Sequence, residues 1–331
     1  YRVSLAGGVM PDVGWVSPDW FVPFYTEELL VPIEELLERD GIDGSSFWPG
    51  VWKQGVGGRQ WGMPFEVGSE ALIYNRDWFD AAGIGEPPQT WDDFLTVAKR
   101  LTDPERGRWG FEPGWPGYMS IQWVWRNGGG LVSDDLRQAL FDQPETVEAV
   151  QWLADLERVH RVTGGHVPTG TAGMIVVHTG WFEFAKTFPF TFGTDPAPIS
   201  ETGQRASLSY YKELVLFRST PEREEAAWRF IRWFSEPEQQ AQWGERTGYL
   251  PVNRQALQLE SYQQYMRDNP RLLPWITELD DIRNFPLTPA WGQILQMFES
   301  ALTQVRQGQA AGTVMAAAQS AAQAILDEHA R

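Results

Sequence analysis

The sequence predicts an α/β protein of two lobes that share one chain, and three observations carry that expectation. At 331 residues the chain is too long for one ordinary domain and comfortable for two. Helical and strand-like periodicities alternate throughout, the pattern of strands linked by helices in largely parallel sheets. No Pro/Gly/Ser-rich linker, internal repeat or low-complexity tract marks a boundary, so the lobes are expected to exchange chain more than once.

In chain order, residues 11–16 (Pro-Asp-Val-Gly-Trp-Val) read as a short strand, and Phe21 to Leu37 carry a helical apolar spacing interrupted at Pro32. Ala71 to Tyr74 form a second strand, with a short helix from Asn75 through Phe79. Thr90-Trp91-Asp92-Asp93 is a helix start, a threonine cap with an acid three residues on, leading into Phe94, Ala98 and Leu101. Pro144 to His160 put Val147, Val150, Leu153, Leu156 and Val159 on one side of a helix. Met174 to Val177 and Glu213 to Phe217 are apolar strand runs, and a Pro221-led helix extends through Phe234. The last 40 or so residues are two helical runs split at Gln307-Gly308-Gln309.

Composition narrows the function classes. A net charge of −17 excludes the basic face of a nucleic-acid binder and the polybasic patch of a membrane-surface protein. The absence of cysteine removes disulfide and thiolate chemistry. No stretch reaches the roughly 18 apolar residues of a membrane span. With 42% hydrophobic residues each half has material for a core. The 18 tryptophans exceed core needs, and about half are expected to line a recognition surface, where a flat apolar face with a polar edge suits a sugar ring.

Signatures of catalysis are scarce. G-x-S-x-G, H-E-x-x-H and P-loop patterns do not occur, and Gly55-Val56-Gly57-Gly58 meets Gln60 where a dinucleotide fingerprint needs glycine. His160, His166, His178 and His329 lack metal-ligand spacing, so neither a metal nor a cofactor is expected. Carboxylates are abundant, yet runs such as Glu222, Glu224 and Glu225 read as solvated helix faces rather than a glycosidase pair.

Several segments, in order along nearly the whole chain, resemble the extracellular solute-binding proteins of the maltose-binding type (family 1), the capture components of bacterial ABC importers. Ala6-Gly7-Gly8 with Pro11-Asp12-Val13 is similar to the family's opening strand. Trp61-Gly62-Met63-Pro64-Phe65 leads to Ala71-Leu72-Ile73-Tyr74-Asn75 and Phe79, close to G-x-P … L-x-Y-N-x-x-x-F. Pro88-Gln89-Thr90-Trp91-Asp92-Asp93-Phe94 and Asn127-Gly128-Gly129 follow the family pattern. So does Gly170-Thr171-Ala172-Gly173-Met174 with Thr179-Gly180-Trp181. The run from Glu225 to Ile231 with Ser235-Glu236-Pro237-Glu238 resembles a late family helix. Thr247-Gly248-Tyr249-Leu250-Pro251 resembles the T-G-Y-L-P of the glycerol-3-phosphate-binding branch.

The resemblance implies a periplasmic-binding-protein-like fold: two α/β lobes, hinge strands and a ligand cleft between them. Lobe one is expected over 1–74 and 209–251, and lobe two over 75–208 and 252–331. It further implies that an N-terminal strand-helix-strand unit and an export signal or lipid-anchor cysteine lie upstream of Tyr1. The connection from Val162 to Gly170 is shorter than the family's.

Three candidate contacts come from the residues alone. Gly114-Trp115-Pro116-Gly117-Tyr118 sets Trp115 and Tyr118 on a Gly/Pro loop, a poor place for core packing. Arg283, before Asn284-Phe285-Pro286, is able to hold a phosphate or carboxylate bidentately. The resemblance implies the others. Asp19 and Trp20 follow the opening strand, where the family places a carboxylate for sugar hydroxyls, although Asp19 also reads as a helix-start acid before Phe21. Glu66 and Ser69 precede the hinge strand on a cleft-facing segment, though Glu66 also reads as a solvated turn acid. Trp181 keeps the spacing of the family's stacking tryptophan, with a core position as the other reading. Tyr249 faces the ligand in the glycerol-phosphate branch. Where that branch has small glycines this chain has Tyr210-Tyr211-Lys212, making Tyr210 a candidate and Lys212 a phosphate partner against the bulk of two tyrosines.

The expected function is capture of a sugar, mono- or oligosaccharide, by hinge closure, without chemistry on it. The alternatives are a polyol phosphate such as glycerol-3-phosphate or a glycerophosphodiester, and then a carbohydrate-active enzyme. The expected partners are that small molecule and the ABC permease subunits, with no nucleic acid. The protein is expected to be a monomer outside the cytoplasm, in the periplasm or lipid-anchored to the outer face of the cell membrane.

Overall fold

The computed structural model describes residues 10–17, 24, 28–52, 59–114, 117–201 and 203–329. Asp19, Trp20, Trp115 and the Ala6-Gly7-Gly8 segment lie outside the described residues. The strands are β1 (Val13–Val16), β2 (Gly62–Glu66), β3 (Glu70–Asn75), β4 (Trp109–Phe111), β5 (Ala172–His178), β6 (Phe192–Pro196), β7 (Ser207–Leu208), β8 (Lys212–Leu216) and β9 (Ile282–Arg283). The helices begin with α1 (Glu34–Arg39), α2 (Arg76–Ala81), α3 (Trp91–Leu101), α4 (Ile121–Arg126), α5 (Pro144–Arg158) and α6 (Trp181–Ala185). They continue as α7 (Pro221–Phe234), α8 (Pro237–Thr247), α9 (Glu260–Asp268), α10 (Leu273–Thr277), α11 (Trp291–Arg306) and α12 (Ala311–His329). No helix among the described residues is long and apolar enough to cross a membrane.

The chain divides into two units, Tyr1–Gly68 with Ser209–Pro270 and Ser69–Leu208 with Arg271–Arg331. In the first unit β8 lies between β1 and β2 and runs antiparallel to both. Helix α7 packs on β8 and β2 through Ala227, Trp228 and Ile231. The Trp228 indole donates to Asp40, whose carboxyl Arg39 and that indole pull down to about 2. Buried Tyr262, Ala241 and Ala256 bind α9 and α8 into the same unit, so residues 252–270 belong here rather than to the second lobe.

In the second unit the sheet order is β4-β5-β3-β6. β3 pairs antiparallel with β5 and with β6, while β4–β5 and the small β7–β9 pair are parallel. The largely parallel sheets expected from alternation are therefore mostly antiparallel. β3 has both its partners in the second unit, which moves the first crossing from Tyr74-Asn75 to Gly68-Ser69. Asn75 and Thr90 cap α2 and α3, accepting from the backbone N–H groups of Trp78 and Asp93 at 3.1 Å each. Such a side chain satisfies one of the orphan donors at a helix start. Within the core Trp91 stacks on Trp152 at 4.2 Å, with Trp123, Phe94 and Phe111 around them. Helices α11 and α12 pack on each other and on α5. Most of the helix expected from Phe21 lies outside the described residues; among those described Phe24 is helical, Leu30 bridges Phe217, and α1 starts at Glu34, beyond Pro32.

Candidate functional site

In the first unit three aromatic side chains meet around one ion pair. A register shift between Pro64 and Glu66 puts Glu66 opposite Lys212. The Lys212 ammonium lies 3.2 Å from Glu66 Oε1, and the Trp243 indole on α8 donates to Oε2 at 3.2 Å. The carboxylate is 7% exposed and the ammonium chain 21%. Burial raises the Glu66 carboxyl above its ordinary range, with Lys212 pulling the other way. The ammonium also stands over two rings, Trp15 at 5.0 Å and Tyr249 at 5.6 Å. Trp15 is 54% exposed, an unusual setting for so large an apolar face.

Local structure explains the placement. Gly248 ends α8 in the left-handed region, φ +77°, and its N–H bonds the Gly244 carbonyl, so the next residue, Tyr249, turns back toward the sheet. β1 alternates, with Gly14 and Val16 on one face and Trp15 on the other, the face shared by Leu214 and Lys212. Tyr210 is half-buried, and its backbone exchanges bonds with Gly68 at 2.8 and 3.0 Å.

The second unit holds the other candidates. Gly117, φ +92°, opens the turn that carries half-buried Tyr118. Tyr118 meets Phe285 edge-on at 6.3 Å, and Phe285 lies 5.2 Å from Trp291. Burial raises the Tyr118 hydroxyl, and the Glu70 charge adds to it. Arg283 is exposed, its guanidinium 5.9 Å above the ring of buried Trp125. Trp181 opens α6, half-buried, edge-on to exposed Phe184 at 5.6 Å. Ser69, expected beside the ligand, is instead fully buried, and its hydroxyl donates to the Trp275 carbonyl. Deeper in this unit, Arg126 and Glu278 form a 2.9 Å ion pair at 0% exposure, with Arg205 on the second carboxylate oxygen.

Glu66 and Tyr249 are thus brought together through Lys212, whereas Tyr118 and Arg283 rest on different rings, Phe285 and Trp125. Sequence reading missed Trp15, Trp243, Trp125 and Phe285. Period-two alternation in β1 was the available signal for Trp15; Trp243 carried none. Among the described residues no group of three His, Asp or Glu side chains converges to hold a metal ion.

The family described as bacterial extracellular solute-binding protein matches residues 1–269. A putative binding protein of Brucella abortus (strain 2308) is 23% identical over 332 residues, 92% of this chain and 77% of that one. The structure of UgpB from Mycobacterium tuberculosis in complex with glycerophosphocholine superposes with a TM-score of 0.87 at 20% identity, covering 100% of this chain and 87% of that one. The cyclic alpha-maltosyl-1,6-maltose binding protein of Arthrobacter globiformis gives 0.85 at 24% identity, over 99% and 87%. At these identities the likeness establishes the fold, which is periplasmic-binding-protein-like.

Proposed function

Because this chain belongs to the bacterial extracellular solute-binding proteins, we propose that it captures a neutral sugar, a mono- or oligosaccharide, and hands it to the permease of an ABC importer. The observation that carries the sugar reading is the Glu66–Lys212 pair between aromatic faces. The pair is neutral overall, so it offers a phosphate no uncommitted cation. A carboxylate able to accept hydroxyl bonds and an exposed indole able to stack on a ring suit a polyhydroxyl ligand. The sugar named for the Arthrobacter neighbour is of this class. On this reading Glu66, Tyr249 and Trp15 contact the ligand, with Tyr210, Tyr118 and Trp181 as further contacts. The protein performs no chemistry, works as a monomer and operates outside the cytoplasm, in a periplasm or held by a lipid at the outer face of the cell membrane.

One observation favours the second reading, a glycerol phosphate or phosphodiester. Arg283 is exposed, and among the described residues its guanidinium makes no ion pair. That leaves it able to take a phosphate in two-point fashion. The name of the Mycobacterium neighbour's ligand agrees with this class.

A thermal-shift and calorimetric panel separates the two. Maltose, maltotriose and monosaccharides are expected to raise the melting midpoint, by the equivalent of about 2.7 kcal/mol at a hundredfold excess over Kd. Sugar affinity should be nearly flat in salt, since screening acts on charge attraction over about 8–10 Å. Stabilisation by glycerol-3-phosphate or glycerophosphocholine alone, with affinity falling tenfold between low and moderate salt, would overturn the sugar reading.

A further inference from the structure

The first unit contains a cation cage, and the chain fills it with its own lysine. Trp15 and Tyr249 present rings within 6 Å of the Lys212 ammonium, and Glu66 supplies the negative charge at 3.2 Å. Two aromatic faces and a carboxylate around one positive charge is the arrangement that recognises quaternary ammonium groups, because the ring quadrupoles and the acid act on a charge that sheds its water cheaply. Lys212 is not a loose occupant. Its backbone sits on β8, the central strand, paired with β2. Swinging it out would leave Glu66, 7% exposed, as an uncompensated buried carboxylate.

Resting on the reading of this cluster as part of the ligand site, we propose that Lys212 is the specificity-determining residue for ligand charge: it occupies an ammonium cage made by Trp15, Tyr249 and Glu66 and so excludes quaternary ammonium ligands. The same position without a cation converts the cluster into a site for choline-type groups. The effect is local to the side chain at 212, since both rings and the acid are held by other elements: Trp15 by β1, Tyr249 by the Gly248 turn, Glu66 by β2 and the Trp243 indole.

The test uses choline chloride as the probe in calorimetric titration of the full chain. The wild type is expected to bind choline only weakly, without saturation over the titrated range. Lys212→Met should bind choline at least about tenfold more tightly than wild type, the scale of two desolvated cation–ring contacts. Glu66→Gln/Lys212→Met removes both charges and so folds without a stranded acid; it should keep a gain of about fivefold from the rings alone. Adding Trp15→Ala to either variant should abolish the gain, and Lys212→Arg, which refills the cage, should behave as wild type. Saturable choline binding by wild type or Lys212→Arg overturns the proposal. So does a gain that survives Trp15→Ala, or a folded double variant with no gain. If Lys212→Met does not fold, the double variant decides. The wild-type sugar titration is scored separately, so the sugar reading stands or falls without altering the choline result.

Discussion

Glu213 stands on the central strand of the first unit with both carboxyl oxygens buried and, among the described residues, no hydrogen-bond partner. Its cross-strand neighbours are Val16 and Pro64, and a methyl group at Gly62 would come within 2.5 Å of Oε2. Burial holds this carboxyl well above its ordinary 4.5, so the folded chain keeps it protonated where the unfolded chain ionises. Folding therefore binds a proton, and the stability of the wild type falls as pH rises from about 4.5 through the folded-state value. Glu213→Leu should raise the unfolding free energy at pH 7.5 by about 1–3 kcal/mol, the cost of an unsatisfied buried polar group. The gain should shrink toward pH 4.5; denaturant melts at both values check it, and a pH-independent difference would refute it. In the sequence this residue read only as one letter of an apolar strand run. Glu66 and Tyr249 were legible because motifs flank them. Trp15 and Trp243 were not, because a tryptophan carries no mark of which face it occupies until its strand or helix has a partner.

Helices were legible where a cap or proline punctuates them. Thr90 with Asp93, Asn75 and Pro221 each predicted a start that the structure keeps, and Gln307-Gly308-Gln309 predicted the break between α11 and α12. Strand positions were legible and strand direction was not. An apolar run such as Met174 to Val177 fits either direction, and pairing is decided by residues far along the chain: β3 meets β5 and β6, not its nearest sequence neighbour. Helix α6 shows how a motif under-determines an element. The spacing from Met174 to Trp181 predicted an indole aimed by a strand-end turn, and Trp181 instead starts a short helix with Phe184 at its edge. Its half-buried state is compatible with a ligand face. Trp181→Ala should weaken sugar binding by roughly thirtyfold, the loss of an anchor worth about 2 kcal/mol. Its ligand-free melting midpoint should move less than the 3–5 kcal/mol of a core tryptophan loss would require. Binding within threefold of wild type, or a chain that does not fold, would assign Trp181 to the core.

At the scale of the whole molecule, the missing linker predicted shared lobes, and the contact pattern gives three crossings, at Gly68-Ser69, Leu208-Ser209 and Pro270-Arg271. The sequence placed the outer crossings at Tyr74 and Pro251 because motif edges stood in for contacts. Each unit has its own sheet and core, yet each is built from two segments. Residues 69–208 joined by a short Gly/Ser linker to 271–331 should therefore melt cooperatively by circular dichroism. Residues 69–208 alone should not: α5 loses α11 and α12, and Arg126 loses Glu278. Stranding one partner of a buried ion pair costs about 3–5 kcal/mol. A cooperative melt of 69–208 alone at the midpoint of the joined form would contradict this account.

Arg126 and Glu278 are 152 residues apart in the chain. At synthesis rates of about 5–20 residues per second, their emergence is separated by roughly 8–30 s. During that interval the arginine has no acid to meet, and the helix that carries it has no finished interior to enter. The unit stays open until nearly the whole polypeptide has left the ribosome. The ion pair that closes this interior therefore also sets the earliest moment in synthesis at which the unit can be completed.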